Sequence, residues 1–164
     1  MFRSELPLRS DTDISSHFLS RWLFLRLLGV VYLAAFLSLG AQIDGLIGSH
    51  GILPAHEYLA RVHEVTGSER FYLAPTLCWL SDSDSFLKEL WIGGVALSGL
   101  LILGVAPAPI LFLLWAFYLS LTVAGQEFLS YQWDALLLET GLLAVFFAPP
   151  QWWPRSGSCP GYGG

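Results

Sequence analysis

The stretch FLKELWIGGVALSGLLILGV, residues 86–105, is followed at once by APAP, residues 106–109, and then by a second apolar run over residues 110–124. A helix rises about 1.5 Å per residue, so about 20 apolar residues span the roughly 30 Å hydrocarbon core of a bilayer. Proline disrupts a helix interior but suits the first turn of a new helix, so the two prolines predict a tight reversal. The pattern therefore indicates two antiparallel membrane helices, at about 86–105 and 109–124.

The composition favours a membrane environment for the whole chain. Of its 164 residues 54% are hydrophobic and only 13% are charged, against about 25% charged in an average soluble protein. A bilayer accepts apolar side chains on the outside of every helix, whereas a soluble domain of this size must bury them. The net charge of −5 and the lack of a basic run argue against nucleic acid as a partner. We expect membrane lipids as partners.

Two more segments complete a predicted all-α membrane protein, an antiparallel bundle of about four transmembrane helices. Residues 22–41 are apolar except for Arg26, are longer than the core of a signal peptide, and are interpreted as a retained signal anchor. The fourth segment, residues 130–148, has an uninterrupted apolar part shorter than about 20 residues. It is therefore a short crossing, a tilted one or a re-entrant element.

The regions outside the helices differ from one another in pattern. Residues 1–20 form a polar N-terminus, and residues 154–164 a glycine-rich tail expected to be disordered. The loop of residues 43–85 contains Leu59, Val62 and Val65 at helical spacing, which predicts a short amphipathic helix at 56–65 on the membrane surface or at the mouth of the bundle. Helix-start residues, Ser81, Asp82 and Ser83, precede the second crossing.

The distribution of positive charge predicts the orientation of the bundle. Four arginines lie at or before the start of the first helix (Arg3, Arg9, Arg21 and Arg26), whereas the positive charges of the first loop are diluted by acidic residues. By the positive-inside rule the N-terminus is cytoplasmic. Four crossings return the C-terminus to the same side. The loop of residues 43–85 and the turn at Gln126 then face the opposite side, called the outer side below.

This topology predicts a candidate polar membrane site. Its members are Arg26, Gln42, Asp44, Gln126, Asp134 and Glu139, and all but Arg26 and Glu139 are expected at the outer side together with Glu127. Glu139 lies deeper, where an ionised group costs about 2.5 kcal/mol or more, so we expect it to face the bundle interior. Arg26 either reaches the head groups or pairs with Glu139. Asp134 and Glu139 either fix helix packing through hydrogen bonds or serve a substrate or partner.

Other chemistry-bearing residues give weaker patterns. The two cysteines form no CxxC, and His50, His56 and His63 lack a further ligand at suitable spacing, so we expect no metal, cofactor or disulfide framework. Most tryptophans and tyrosines, Tyr118 among them, fall near predicted helix ends and are interpreted as interfacial anchors. Small residues between Gly93 and Gly99 favour close contact between helices.

Several motifs resemble, in order and spacing, the N-terminal membrane region of the lipase maturation factor family, over about residues 21–153. They are WLFLRLLG at 22–29, GLIG at 45–48 followed by GILPA at 51–55, PTLCWL at 75–80, and above all GQEFLSYQWDALLLE at 125–139. The resemblance implies a non-enzymatic membrane protein that helps secreted dimeric lipases to fold, in animals in the endoplasmic reticulum. The sequence of the last motif resembles bacterial members more closely. The resemblance therefore implies that the protein lies in the bacterial inner membrane, or in the endoplasmic reticulum membrane if the source is eukaryotic.

The departure from the family concerns length. Family members continue into further helices and a large C-terminal domain credited with client binding, so the resemblance also suggests a truncated product. Three functions stay open at this stage. The chain assists maturation of a secreted lipase-like client, it is a small membrane enzyme or redox-chain component in which Glu139 acts as acid or base, or it is a non-functional fragment.

Overall fold

The computed structural model describes residues 11–67, 72, 74–81 and 83–148, with side chains from Leu19 onward. Six α-helices lie in these ranges: α1 (Asp11–Gly40), α2 (Ile43–Leu46), α3 (Ala55–Thr66), α4 (Asp84–Leu103), α5 (Pro107–Gly125) and α6 (Gln132–Phe147). Short 3₁₀ turns occupy Leu77–Trp79 and Gln126–Leu129. No described residue belongs to a β-strand. The predicted all-α class is therefore confirmed, while residues 1–10, Asp82 and the predicted tail at 154–164 lie outside the described residues.

Three of the described helices are long and apolar enough to cross a membrane. The spans are Leu19–Gly40, Asp84–Leu103 and Pro107–Leu129, and they match the first three predicted crossings. α1 begins at Asp11, well before the predicted start at residue 22, because polar residues continue a helix readily once an apolar segment anchors it. α6 has 16 residues and falls short of the length of a full crossing.

The reversal between α4 and α5 confirms the prediction made from the two prolines. α4 begins at a cap in which the Ser83 side chain accepts a hydrogen bond from the Phe86 amide, and it ends at Gly104 with a left-handed φ of 84°. Ala106 is also left-handed, with φ 33°, and Pro107 is the first residue of α5. Glycine tolerates the left-handed conformation without steric cost, so Gly104 closes α4 within one residue.

Glycines on the helices accept aromatic rings of neighbouring helices. A Cβ atom added to Gly94 of α4 would lie 2.3 Å from the Phe36 ring of α1, and one added to Gly40 of α1 would lie 1.9 Å from the Trp91 ring. The helix backbones therefore approach closely, as small residues allow in membrane bundles. The sequence prediction of close contact at the small residues of the second crossing is confirmed at Gly94.

The loop between α1 and α4 packs onto the bundle. The Lys88 Nζ atom lies 3.1 Å from Oδ2 of Asp44, and the Ser49 amide and hydroxyl donate to the Asp84 carboxylate at 2.8 and 2.6 Å. Further along, the Leu77 amide donates to the Ser120 hydroxyl of α5 at 2.9 Å. These bonds fix the loop against the outer ends of α4 and α5.

The loop helix α3 covers the predicted segment of residues 56–65. Ala55 and Leu59 are buried against the rest of the protein, Val62 is half-buried and Val65 is exposed. Only part of the predicted apolar face of α3 therefore contacts the rest of the bundle.

Candidate functional site

A cleft of about 540 Å³ lies between α1 and α6 and opens near the outer end of the bundle. Its walls come mainly from α1, from the connection between α5 and α6, and from α6 itself, with one residue each from α2 and α5. The lining residues are Val31, Ala34, Ala35, Ser38, Leu39, Gln42, Leu46, Tyr118, Phe128, Leu129, Tyr131, Trp133, Asp134 and Leu137. Most of this lining is apolar, and the volume is in the range of small-molecule pockets.

The cleft contains one buried carboxylate. Asp134 lies in the first turn of α6 and is only 5% exposed. Its Oδ1 atom accepts a hydrogen bond of 2.5 Å from the hydroxyl of Tyr118 on α5. An acidic residue at a helix N-terminus is favoured by the helix dipole, and the tyrosine supplies the donor that a buried carboxylate requires. The pair ties α5 to α6 and places a hydrogen-bond acceptor on the cleft wall.

Tyr118 also belongs to an aromatic cluster at the centre of the bundle. Its ring is edge-on to those of Tyr32 and Phe36, with centroids 6.0 and 5.6 Å apart, a favourable arrangement for aromatic pairs. The Tyr32 hydroxyl donates to the Leu137 carbonyl of α6 at 3.3 Å. The interpretation of Tyr118 as an interfacial anchor is therefore wrong. Tyr118 lies close enough to the end of α5 for an interfacial anchor, but it is on the face of α5 that points into the bundle.

The predicted outer-side residues lie at one end of the bundle, but only two of them share the cleft. Gln42 and Asp134 both line it, whereas Asp44 pairs with Lys88 beside α4. Gln126 adopts a left-handed backbone, with φ 50°, and its Nε2 atom is buried without a hydrogen-bond partner. A non-glycine residue in this conformation is uncommon. Glu127 is exposed.

The prediction that Glu139 faces the bundle interior is wrong. The buried face of α6 is formed by Asp134, Leu137, Gly141 and Ala144, and at 100° per residue Glu139 lies on the opposite face. The structure accordingly leaves Glu139 exposed. The small residues decide this orientation, because a Cβ at Gly141 would lie 1.9 Å from the Tyr32 hydroxyl, so α1 packs only where a side chain is absent.

Arg26 caps a neighbouring helix. Its Nη1 donates to the Ile102 carbonyl in the last turn of α4, and its guanidinium carbon lies 4.2 Å from the centroid of the Trp22 ring. A cation is favourable at a helix C-terminus, where carbonyl groups lack intrahelical partners. The predicted alternative of an Arg26–Glu139 ion pair is not formed in the part of the chain that the structure describes. The other alternative, in which Arg26 reaches the head groups, stays a prediction.

The arrangement suits binding. An apolar cleft with an acceptor at Asp134 and an exposed amide at Gln42 can hold an apolar chain that carries a polar group at one end. Within the described ranges, no three histidine, cysteine, aspartate or glutamate residues lie close enough together to hold a metal ion.

The Tyr118–Asp134 pair and the Tyr32 cluster were not predicted from the sequence, since neither residue spacing nor hydropathy reports which helix faces meet.

Comparisons with known proteins match a region that contains nearly all of the described helices. The family model described as the lipase maturation factor transmembrane domain matches residues 19–160. The chain is 44% identical over 138 residues to lipase maturation factor 2 of Homo sapiens, with 80% of this chain and 19% of that protein covered. It is 41% identical over 146 residues to lipase maturation factor 2 of Xenopus laevis, covering 83% and 20% of the two chains.

Lipase maturation factor 1 of Mus musculus is 36% identical over 154 residues, which cover 89% of this chain and 26% of the relative. The chain thus spans about a fifth to a quarter of the length of these curated relatives. No solved structure matches the chain.

Proposed function

This chain belongs to the lipase maturation factor family, and from that premise we propose that it is a membrane component that assists the folding or maturation of a secreted lipase. The observation that carries the proposal is the match over residues 19–160, which includes every helix that builds the cleft. The family model describes a transmembrane domain and the structure has three membrane-capable helices, so the chain is an integral membrane protein.

We assign the contact with the client to the outer end of the bundle. The cleft between α1 and α6 opens there, and Trp133 on its rim is 69% exposed despite its large apolar surface. An exposed aromatic beside an apolar groove suits an unfolded chain, which presents apolar side chains that a folded lipase buries. Gln42 and Asp134 would supply polar contacts at the same place.

The proposed topology has four crossings with a cytoplasmic N-terminus. α6 would be the fourth and shortest crossing, since its 16 residues rise about 24 Å, and α3 would lie on the membrane surface at the mouth of the bundle. The domain limits follow from this: a polar N-terminus to about residue 20, the membrane domain at 21–153 and the tail at 154–164. The membrane itself is proposed to be the bacterial inner membrane, with the endoplasmic reticulum membrane as the eukaryotic alternative.

We also propose that the chain is not an enzyme, because the names of the relatives describe a maturation factor rather than a catalyst. The client would then leave chemically unchanged, having been held in the membrane region while it folds.

The test is site-specific photocrosslinking during co-expression with a secreted lipase that needs a maturation factor, in cells that lack their own. A photoreactive phenylalanine analogue replaces Trp133 in one variant. In a matched control it replaces Ile92 of α4, which is also a large exposed apolar residue, at 56%. We expect lipase crosslinks at position 133 and few at 92, and a higher activity per secreted lipase molecule when the chain is present.

Equal crosslinking at both positions would show that the client contact is not specific to the cleft. Unchanged lipase activity together with no crosslink at either position would refute the proposed function.

A further inference from the structure

Glu139 lies at a height within the span of α5, about a third of the way along that helix. α6 runs antiparallel to α5 because only a short connection joins them, and the hydrogen bond between Tyr118 and Asp134 marks one common height. Five residues further along α6 advance about 7.5 Å, which brings Glu139 to the height of residue 113. That height is about 9 Å from the start of α5 at Pro107 and about 18 Å from its end. It therefore falls inside the apolar span of α5.

The exposed face around Glu139 has the pattern of a helix-packing stripe. Leu136, Glu139, Leu143 and Phe146 are spaced three, four and three residues apart, and the three apolar members are 53%, 69% and 82% exposed. This spacing matches the a and d positions along the seam of packed helices. The stripe lies opposite the buried face of α6, so no described helix covers it.

Among the residues that the structure describes, no side chain donates a hydrogen bond to the Glu139 carboxylate. Lipid tails offer no hydrogen bonds, and ionised groups within membrane helices face a protein interior or pair with a partner. Arg26, the arginine within the apolar span of α1, donates instead to the Ile102 carbonyl at the end of α4. Within the described part of the chain, Glu139 therefore lacks the cationic complement that its position in a membrane would require.

We propose that the stripe of Leu136, Glu139, Leu143 and Phe146 docks a membrane-spanning helix of a partner protein that carries a lysine or arginine at the height of Glu139. Charge complementarity selects this occupant. A second copy related by a two-fold axis would place Glu139 against its own equivalent, and like charges repel. The inference rests on α6 lying in the membrane, which is part of the proposed topology.

The test reconstitutes the full chain in phosphatidylcholine vesicles with synthetic transmembrane peptides of leucine and alanine. One peptide carries a central lysine and the other a leucine at that position, and energy transfer between labels reports association. We expect the lysine peptide to associate about threefold to twentyfold more tightly than the leucine peptide, the range found for polar contacts between membrane helices. Glu139→Leu should abolish that preference, whereas Glu127→Gln, at an exposed carboxylate outside α6, should keep it.

Two outcomes would overturn the docking proposal: equal binding of both peptides to the unaltered chain, or Glu139-dependent association between two copies of it. Accessibility separates these failures from a failure of the topology. In a chain with Cys78 and Cys159 replaced by serine, a cysteine at Leu143 should resist a water-soluble maleimide. Rapid labelling would show that α6 lies outside the hydrocarbon. That result would remove the basis of the docking proposal and of the proposed fourth crossing.

Discussion

Replacing Gly141 by alanine tests whether α6 is oriented by its contact with Tyr32. The added Cβ would lie 1.9 Å from the Tyr32 hydroxyl oxygen, and ordinary contact begins near 3.4 Å, so α1 and α6 must separate by about 1.5 Å. The ring cannot swing aside, because Tyr32 is fully buried against Phe36 and Tyr118. We expect Gly141→Ala to lower the free energy of unfolding by about 1–3 kcal/mol, the usual cost of overpacking a core.

Removing the hydroxyl should relieve most of this clash. Tyr32→Phe alone loses one hydrogen bond between helices, worth about 0.6 kcal/mol on average in a membrane protein. In the double variant the next atom met by the new Cβ is Cζ of residue 32, at 3.1 Å, a tight but nearly tolerable contact. The double variant should therefore be about as stable as Tyr32→Phe, so the coupling energy has the size of the whole cost of Gly141→Ala, about 1–3 kcal/mol.

The assay is reversible unfolding in mixed micelles with increasing dodecyl sulfate, followed by circular dichroism. Gly99→Ala is the matched control, because a Cβ there meets nothing within 4 Å and alanine has the higher helix propensity. It should be as stable as the unaltered chain or more so. If Gly141→Ala unfolds like this control, or if Tyr32→Phe gives no rescue, the account of how α6 is oriented is refuted.

Two further pairs of substitutions follow the same physical reasoning. Tyr118→Phe removes the donor to a buried carboxylate and should cost about 1–3 kcal/mol, whereas Asp134→Asn keeps an acceptor for the tyrosine and should cost less. Equal losses in the same micelle assay would contradict a hydrogen bond that depends on the tyrosine. Gly40→Ala places a Cβ 1.9 Å from Trp91 and should cost about 1–3 kcal/mol. Gly45→Ala, with nothing within 4 Å, should unfold at the same dodecyl sulfate concentration as the unaltered chain, and similar losses in both glycine variants would argue against the close contact.

The sequence predicts the elements of this fold well because length and polarity are properties of single segments. Apolar length identifies α4 and α5, and the proline at position 107 marks their reversal to within two residues. The N-terminal extension of α1 is missed, because its residues are mostly polar and continue a helix nucleated further along the chain.

The candidate site is predicted less completely, because it depends on which helix faces meet. Asp134 and Gln42 are correctly placed at one end, since topology alone brings them there. Tyr118 and Glu139 are assigned to the wrong surroundings for the same reason: their depth in a segment is visible in the sequence, but the face on which they lie is not. The orientation of Glu139 follows from the contact between Gly141 and Tyr32, and that of Tyr118 from its contacts with Tyr32, Phe36 and Asp134. Hydropathy does not report such a contact between helices.

In the proposed topology the chain crosses the membrane four times and exposes the cleft on the side opposite its N-terminus. Single cysteines at Ser49, in the loop before α3, and at Ser156, after α6, test it in sealed vesicles of one orientation, with Cys78 and Cys159 replaced by serine. We expect a membrane-impermeant maleimide to label one site from outside and the other only after the vesicles are opened. Labelling of both sites from the same side would mean that α6 does not cross, and the proposed architecture would then be wrong.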